Sequence, residues 1–239
     1  MTYDFAPDRA ARLGLIVLST DETLEDEARQ AMGRDVSVYH SRILCDPNVT
    51  PETLSGMEAR MTASAALLPG DLTAIGYGCT SASVLIGPEA VAERLHEVQP
   101  GVPVTNPISA VIAALNALKA RKIALVTPYA ADVVAPMRAF LAKAGIEVVS
   151  ERSFGERDDR RVARIAEHST QAAILEAGAA AGVEAVFASC TNLRCFGIID
   201  ASEKELGLPV VSSNSALLWH LGQLAGVSGL GGPGRLYEI

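Results

Sequence analysis

Short apolar runs alternate along the chain with longer, alanine-rich stretches in which apolar residues recur with helical periodicity. The apolar runs predict strands at residues 13–18, 72–77, 102–105, 123–127, 146–150, 185–189 and 209–212. The longer stretches predict helices at residues 50–68, 88–98, 110–120, 133–144, 166–181 and 215–225. Strands that alternate with helices form parallel sheets, because each helix returns the chain to the same end of the sheet. The pattern therefore predicts an α/β fold with mostly parallel sheets.

Three segments of the first part of the chain recur in the same order roughly 110 residues later, which indicates an internal repeat. GLIVLSTDET (14–23) matches IALVTPYAAD (123–132), AIGYGCTSAS (74–83) matches AVFASCTNLR (185–194), and GVPVTNPISA (101–110) matches GLPVVSSNSA (207–216). We therefore expect two similar Rossmann-like or flavodoxin-like halves, related by a pseudo-twofold axis, with the active site between them. We predict that residues 1–116 and 213–239 form the N-terminal half and that residues 117–212 form the C-terminal half.

The repeated segments place polar residues directly after the predicted strands. Examples are Asp21 after the first strand, Tyr129 after the fourth, and the two loops that begin at Cys79 and Cys190. Ligands of parallel sheets bind beyond the carboxyl ends of the strands. The sequence therefore predicts that these loops converge on one cleft between the halves.

Composition and charge narrow the class of ligand. Hydrophobic residues make up 49% of the chain, enough for a large core, and the net charge is −8. No basic surplus is available to neutralise phosphates, so we expect no nucleic-acid partner. No apolar run is long enough to cross a membrane, and the N-terminus lacks the apolar core of a signal peptide. We expect a cytoplasmic protein whose cysteines are thiols rather than disulfides.

Cys79 and Cys190 are the candidate catalytic residues, because each follows a strand at an equivalent position of the repeat and each precedes a threonine. Backbone amides at such a strand end favour a thiolate and lower its pKa. Two thiols that face one substrate can transfer a proton between the two sides of a carbon atom. Alternatively, one thiolate can add to an activated alkene, which then rotates before the thiolate leaves. Neither chemistry needs a metal or an organic cofactor, so no cofactor is predicted.

The two cysteines also allow other interpretations. Cysteines after buried strands are often small core residues, and a Cys79–Cys190 disulfide would need an oxidising compartment. Metal binding is disfavoured, since the chain has no C-x-x-C motif and its histidines lack ligand spacing. Cys45 and Cys195 do not follow a predicted strand, and we interpret both as structural.

The cysteine loops GCTSAS (78–83) and SCTNLR (189–194) resemble those of the aspartate/glutamate racemase superfamily. The segments IVLSTDETLEDE (16–27), LVTPY (125–129) and LPVVSSNSALLWH (208–220) are most similar to the branch that contains maleate cis-trans isomerases and arylmalonate decarboxylases. Within that branch, the closest likeness is to the racemase-like protein of ectoine-utilisation operons. The resemblance implies a cofactor-independent isomerase or racemase acting on a small carboxylate, and a homo-oligomer.

The resemblance also implies roles for individual residues. Cys79 would be the nucleophilic or proton-abstracting thiol, Cys190 the opposing thiol, and Tyr129 a carboxylate ligand. Further substrate contacts would come from hydroxyl, amide and backbone groups of Thr80, Ser81, Thr191 and Asn192. Arylmalonate decarboxylases use one cysteine, in the second half. The alternatives are therefore a decarboxylase that uses Cys190 alone, or a non-catalytic small-molecule binding protein.

Two aspartates depart from the pattern of maleate isomerases, which carry asparagines at the corresponding positions. Asp21 follows the first strand, and Asp159 lies in the run DDRRVAR (158–164). A carboxylate in place of an amide removes N–H donors and adds negative charge, which disfavours a dianion. Our hypothesis is that the substrate carries an ammonium or amide nitrogen beside a carboxylate. The alternative is that these aspartates face solvent or pair with Arg160, Arg161 or Arg194.

Overall fold

The computed structural model describes residues 1–5 and 11–239 and contains two four-stranded, fully parallel sheets. The strands of the first sheet are β1 (Ala11–Leu18), β2 (Val36–Ile43), β3 (Ala74–Gly78) and β4 (Val104–Thr105). Those of the second are β5 (Lys122–Thr127), β6 (Glu147–Ser153), β7 (Ala185–Ala188) and β8 (Val210–Ser212). The strand orders β2-β1-β3-β4 and β6-β5-β7-β8 are equivalent. The predicted α/β class and its repeat are confirmed.

Helices connect consecutive strands. They are α1 (Leu24–Ala31), α2 (Pro51–Ser55), α3 (Met61–Ala65), α4 (Thr80–Ile86), α5 (Pro88–His96), α6 (Pro107–Ala117), α7 (Ala131–Lys143), α8 (Asp159–Val162), α9 (Glu167–Gly178), α10 (Ile199–Leu206) and α11 (Ser213–Leu224). Short 3₁₀ turns occupy Glu58–Arg60, Phe196–Ile198 and Arg235–Glu238. Within the described part of the chain, no helix is both long and apolar enough to cross a membrane.

Several elements differ from the sequence prediction, which lacked helices α1, α4, α8 and α10 as well as one strand. Strand β2 was not predicted, because its sequence VSVYHSRI mixes apolar and polar residues and most of the strand is only half-buried at the edge of the sheet. The predicted helix at residues 50–68 is instead divided into α2, a 3₁₀ turn and α3. Gly56 ends α2, and glycine has a low helix propensity. This broken segment lies beside the candidate site described below.

The central strands form the core, and the two sheets are joined through helices. Strands β3, β5 and β7 consist almost entirely of buried residues. Helix α11, which follows the last strand of the second sheet, packs against α6 and against β3 of the first sheet. The packing on β3 is close: a Cβ at Gly76 would lie 3.4 Å from Leu217 Cδ1. The predicted division into residues 1–116 with 213–239 and residues 117–212 remains a prediction.

Candidate active site

Cys79 lies at the carboxyl end of β3 and immediately precedes α4. Its backbone is extended, with φ of −148°, and its carbonyl accepts a hydrogen bond from Ser83 Oγ at 2.6 Å. The strand before it ends in Gly78, where a Cβ would lie 3.0 Å from the carbonyl oxygen of Ile16. A glycine is thus needed for β3 to approach β1 this closely. Cys79 Sγ lies 3.8 Å from Ser81 Oγ.

Cys190 occupies the equivalent position after β7, in an unusual backbone conformation. Its φ is +152°, which residues other than glycine rarely adopt and which costs about 1–3 kcal/mol. Its backbone N–H donates to Ser213 Oγ at 3.0 Å, and its Sγ accepts a hydrogen bond from the Asn192 N–H at 3.4 Å. These contacts hold the strained loop in place.

The two cysteines line one cavity between the halves. The other residues around it are Leu18, Cys45, Asp46, Val49, Thr53, Leu54, Met57, Ser81, Tyr129, Asp159 and Thr191. The cavity is narrow: its volume of about 20 Å³ has room for roughly one water molecule. A substrate of several heavy atoms therefore needs the lining to open.

The cavity is covered where loops from the two halves meet. The loop after β2 and the loop after β6 form a short antiparallel bridge between Asn48 and Asp158. The Val49 N–H donates to the Arg157 carbonyl at 2.8 Å, and the Asp159 N–H donates to the Pro47 carbonyl at 2.9 Å. The loop after β2 then supplies one wall of the cavity, including Cys45.

Ser213, the first residue of α11, joins the two cysteine loops. Its Oγ accepts hydrogen bonds from Thr80 Oγ1 at 2.8 Å and from the Cys190 N–H. A second link runs from Thr191 Oγ1 to the Gly78 carbonyl at 3.3 Å. The relative position of the thiols therefore depends on buried hydrogen bonds between the halves.

Asp159 is a buried carboxyl group at the edge of the cavity. Its Oδ2 accepts hydrogen bonds from Thr20 Oγ1 and, at 3.1 Å, from Asn192 Nδ2. Asn192 itself lies behind the cavity, where its Oδ1 accepts a hydrogen bond from the Glu22 N–H at 2.8 Å. Burial raises the pKa of Asp159.

Asp21 is also buried, but it does not line the cavity. Its Oδ1 accepts hydrogen bonds from the Thr23 and Leu24 N–H groups, both at 2.8 Å, at the start of α1. Its Oδ2 is buried and has no hydrogen-bond partner in the described residues. Burial raises the pKa of Asp21 to about 6, and the nearby charge of Asp159 adds to the shift.

Asp21 and Asp159 are 2% and 4% exposed, and neither forms an ion pair with a described arginine. The alternative that these aspartates face solvent or pair with an arginine is therefore wrong.

The thiols do not have the lowered pKa expected from the sequence. Burial raises the pKa of Cys79 to about 12, because the loss of hydration outweighs the favourable contacts of the Ala82 backbone and the Ser81 hydroxyl. Burial also raises the pKa of Cys190 well above its ordinary value, and the charge of Asp159 raises it further. Burial therefore favours the protonated thiol at both cysteines.

The predicted site residues fall into two groups. Cys79, Ser81, Tyr129, Asp159, Cys190 and Thr191 line the cavity. Asp21, Thr80 and Asn192 were predicted to contact the substrate, but they are buried behind the cavity and do not line it. Burial raises the pKa of Tyr129 well above its ordinary value, and the nearby Cys190 side chain adds to the shift.

The sequence analysis missed part of the cavity wall. Cys45, interpreted as structural, lines the cavity, and its Sγ lies 3.2 Å from Thr20 Oγ1. Its position follows from strand β2, which was not predicted, so no sequence signal placed it at a strand end.

All four cysteines are free thiols, as predicted. Among residues 1–5 and 11–239, no group of three or more His, Cys, Asp or Glu side chains is arranged to hold a metal ion.

Fold and site together define an α/β enzyme scaffold with paired cysteines between repeated halves. The sequence model of the arylmalonate decarboxylase family matches residues 13–237. The chain belongs to this family.

Individual relatives carry two activities. A maleate isomerase of Nocardia farcinica is 27% identical over 216 residues, which cover 86% of each chain. An arylmalonate decarboxylase of Bordetella bronchiseptica is 34% identical over 141 residues, 58% of this chain and 59% of that protein. The crystal structure of a mutant N. farcinica maleate cis-trans isomerase with a covalently bound succinylcysteine intermediate superposes with a TM-score of 0.86, at 25% identity over 95% of this chain and 98% of that one.

Proposed function

We propose that this protein is a cofactor-independent isomerase or racemase in which Cys79 and Cys190 act on a small carboxylate substrate. One observation carries the proposal: equivalent strand ends of the two halves bring both thiols to the same cavity. The similarity to maleate isomerases, one of them with a succinylcysteine intermediate, supports cysteine catalysis of this kind.

The substrate carboxylate would be bound by hydroxyl groups of the cavity wall. Ser81, Tyr129 and Thr191 line the cavity on the side of the cysteine loops. Hydroxyl donors can stabilise the negative charge that develops on a carboxylate when its α-carbon becomes a carbanion. The low dielectric of a closed cavity strengthens these hydrogen bonds.

Two reaction courses fit this arrangement, and both balance without an external reagent. In α-proton transfer, one thiolate takes the proton, the C–H electron pair enters the carboxylate, and the opposite thiol returns a proton to the other face. In alkene isomerisation, the thiolate forms a C–S bond and the alkene electron pair enters the carboxylate. The remaining single bond then rotates, the electron pair returns and the C–S bond breaks.

Formation of the thiolate is the demanding step in either course. Because burial raises the pKa of both thiols, a proton must leave one of them as the substrate enters. The cavity also has to open for entry, which admits water and lowers the cost of the charge. Thiolate formation and substrate entry are therefore expected to occur together.

A decarboxylase that uses Cys190 alone is the second candidate. The family match and the 34% identity to an arylmalonate decarboxylase favour it. The presence of a second thiol, Cys79, in the same cavity favours the isomerase.

Single cysteine substitutions distinguish the candidates. We expect Cys79→Ala and Cys190→Ala each to reduce turnover at least about 100-fold, because each removes a proton-transfer or nucleophilic group. Cys195→Ala is the control, since Cys195 is buried but does not line the cavity. Turnover of maleate and of amino-acid enantiomers in deuterated water would be followed by mass spectrometry. A Cys79→Ala variant that keeps most activity would favour the decarboxylase, and ligand binding without turnover would contradict both enzymes.

Three further properties belong to this proposal. We expect the protein to be cytoplasmic, as the sequence pattern predicts. We also expect it to be homo-oligomeric and its substrate to come from ectoine utilisation, as the sequence resemblance implies. Cell fractionation, light scattering and the substrate panel test these expectations in turn.

A further inference from the structure

We propose that the substrate carries a cationic nitrogen beside its carboxylate, and that Asp159 is the residue that binds this nitrogen. The inference rests on the proposed function of the same cavity. It goes beyond that function by assigning a charge to the substrate and a specificity-determining role to one side chain.

The charges around the cavity are the first observation. Two carboxyl groups, Asp46 and Asp159, line it, and none of the described residues that line it is a lysine, arginine or histidine. Two more buried carboxyl groups, Asp21 and Glu27, lie behind it. A dicarboxylate would have to leave water for a cavity without a positive side chain, which is unfavourable.

Nearby arginines have partners of their own. Arg157 pairs with Asp132 at 2.9 Å, and Arg161 pairs with Glu156 at 3.0 Å. Arg164 pairs with Glu22 at 2.8 Å on the protein surface. None of these three arginines lines the cavity.

The hydrogen bonds of Asp159 leave one oxygen for a ligand. Thr20 and Asn192 both donate to Oδ2, whereas no described residue donates to Oδ1. Asp159 as a whole residue is 4% exposed, and it lines the cavity. A largely buried carboxyl group with an oxygen that lacks a donor is stabilised by an ammonium group, which supplies both charge and N–H bonds.

A cation at this position also assists the thiols. Asp159 raises the pKa of Cys190, so a positive nitrogen bound to Asp159 offsets that effect and favours the thiolate. A second carboxylate at the same position has the opposite effect. Hydroxyl groups of Ser81 and Tyr129 line the cavity for the substrate carboxylate. The cavity therefore fits a zwitterion better than a dianion.

Thiol reagents of opposite charge test the inference without knowledge of the substrate. 2-Aminoethyl methanethiosulfonate is a cation and 2-sulfonatoethyl methanethiosulfonate is an anion of similar size. Each converts a thiolate to a mixed disulfide and releases methanesulfinate. Rates at Cys79 and Cys190 would be measured at pH 7.5 by peptide mass spectrometry and divided by the rates with free 2-mercaptoethanol. We expect the cation to be favoured about tenfold or more, because a low-dielectric cavity focuses the field of its carboxylates.

Aspartate-to-asparagine variants identify the responsible group. Asp159→Asn is expected to remove most of the preference for the cation, since it removes the charge and keeps the shape. Asp46→Asn is the matched control: Asp46 lines the same cavity but is exposed, so water screens its charge. We expect this variant to retain the wild-type preference. The wild-type ratio is informative even if Asp159→Asn does not fold.

The outcomes separate this inference from the proposed function. Equal rates for the two reagents in the wild type, or an unchanged preference in Asp159→Asn, would overturn the assignment. Turnover of maleate without deuterium exchange into any amino acid would do the same, while leaving the two-thiol isomerase intact. Loss of the isomerase itself would show instead as activity that survives Cys79→Ala.

Discussion

Glu27 is a buried carboxyl group that the sequence analysis did not single out. It lies on α1, and its Oε1 accepts hydrogen bonds from the Cys195 and Phe196 N–H groups at 3.3 and 3.2 Å. Its Oε2 accepts a hydrogen bond from Asn214 Nδ2 at 2.7 Å, and the same amide donates to the Thr191 carbonyl. Glu27 thus stabilises the loop that carries Cys190 from behind.

Glu27 is expected to make stability depend on pH. Burial raises its pKa to about 7 in the folded state, from an ordinary value of 4.5. Between these values the folded protein binds more protons than the unfolded chain, so the free energy of unfolding falls as pH rises through this range. Glu27→Gln cannot titrate, so we expect its free energy of unfolding to lack this fall. Relative to the variant, the wild type should therefore lose about 2 kcal/mol of unfolding free energy between pH 5 and pH 8.

Urea unfolding at pH 5, 6, 7 and 8 measures this effect. Glu205→Gln, on the exposed face of α10, is the control and is expected to leave the wild-type profile unchanged. A constant difference between wild type and Glu27→Gln across the pH range would show that Glu27 does not titrate in this way.

At the scale of elements, the first turn of α11 fixes the cysteine loops. Ser212 caps the helix by accepting a hydrogen bond from the Ser215 N–H at 2.9 Å, and Ser213 Oγ contacts both Thr80 and the Cys190 backbone. The first turn of α11 therefore links the loop after β3 to the loop after β7, both of which reach the cavity. The sequence SSNSALLWH showed a resemblance to a family segment, but it did not predict which groups its serines contact. Those contacts depend on how α11 packs against the two cysteine loops.

Ser213→Ala is expected to impair both stability and turnover. The variant leaves the buried Cys190 N–H without an acceptor, which costs about 1–3 kcal/mol. It also frees the strained Cys190 loop, so we expect kcat to fall more than KM rises. Ser202→Ala is the control, because Ser202 is equally buried in α10 but donates only to the Ile198 carbonyl. Similar loss of activity in both variants would mean that general destabilisation, rather than loop position, is responsible.

At the scale of the whole molecule, the halves share an interface and are expected to unfold together. Helix α11 packs on α6 and β3, and the loops at residues 47–49 and 157–159 are joined by hydrogen bonds. Such contacts couple the two sheets in one cooperative unit. The single tryptophan, Trp219, lies on α11 and reports on this interface.

Urea unfolding followed by two probes tests this coupling. We expect Trp219 fluorescence and far-UV circular dichroism to give the same midpoint in the wild type and in Leu217→Ala. Leu217 is fully buried on α11, so its truncation should cost about 2–5 kcal/mol in both signals. Leu224→Ala, at the half-exposed end of the same helix, should cost much less. Midpoints that separate would indicate that the halves unfold independently.

The α/β class, the repeat and the pair of strand-end cysteines were all predicted from the amino-acid sequence. Apolar periodicity sets the elements, and parallel sheets bring their loops to one edge. Strand β2 was not predicted, because it is an edge strand of mixed apolar and polar residues that is stabilised by its neighbour rather than by its own pattern.

Which loop residues reach the cavity, and the direction of their pKa shifts, depend on the tertiary structure. It placed Cys45 and Asp159 at the cavity and Asp21 and Asn192 behind it. It also reversed the expected direction of the thiol pKa shifts. Both results depend on burial, which is a property of the packed molecule: hydration lost between two halves outweighs the backbone amides that each loop provides on its own.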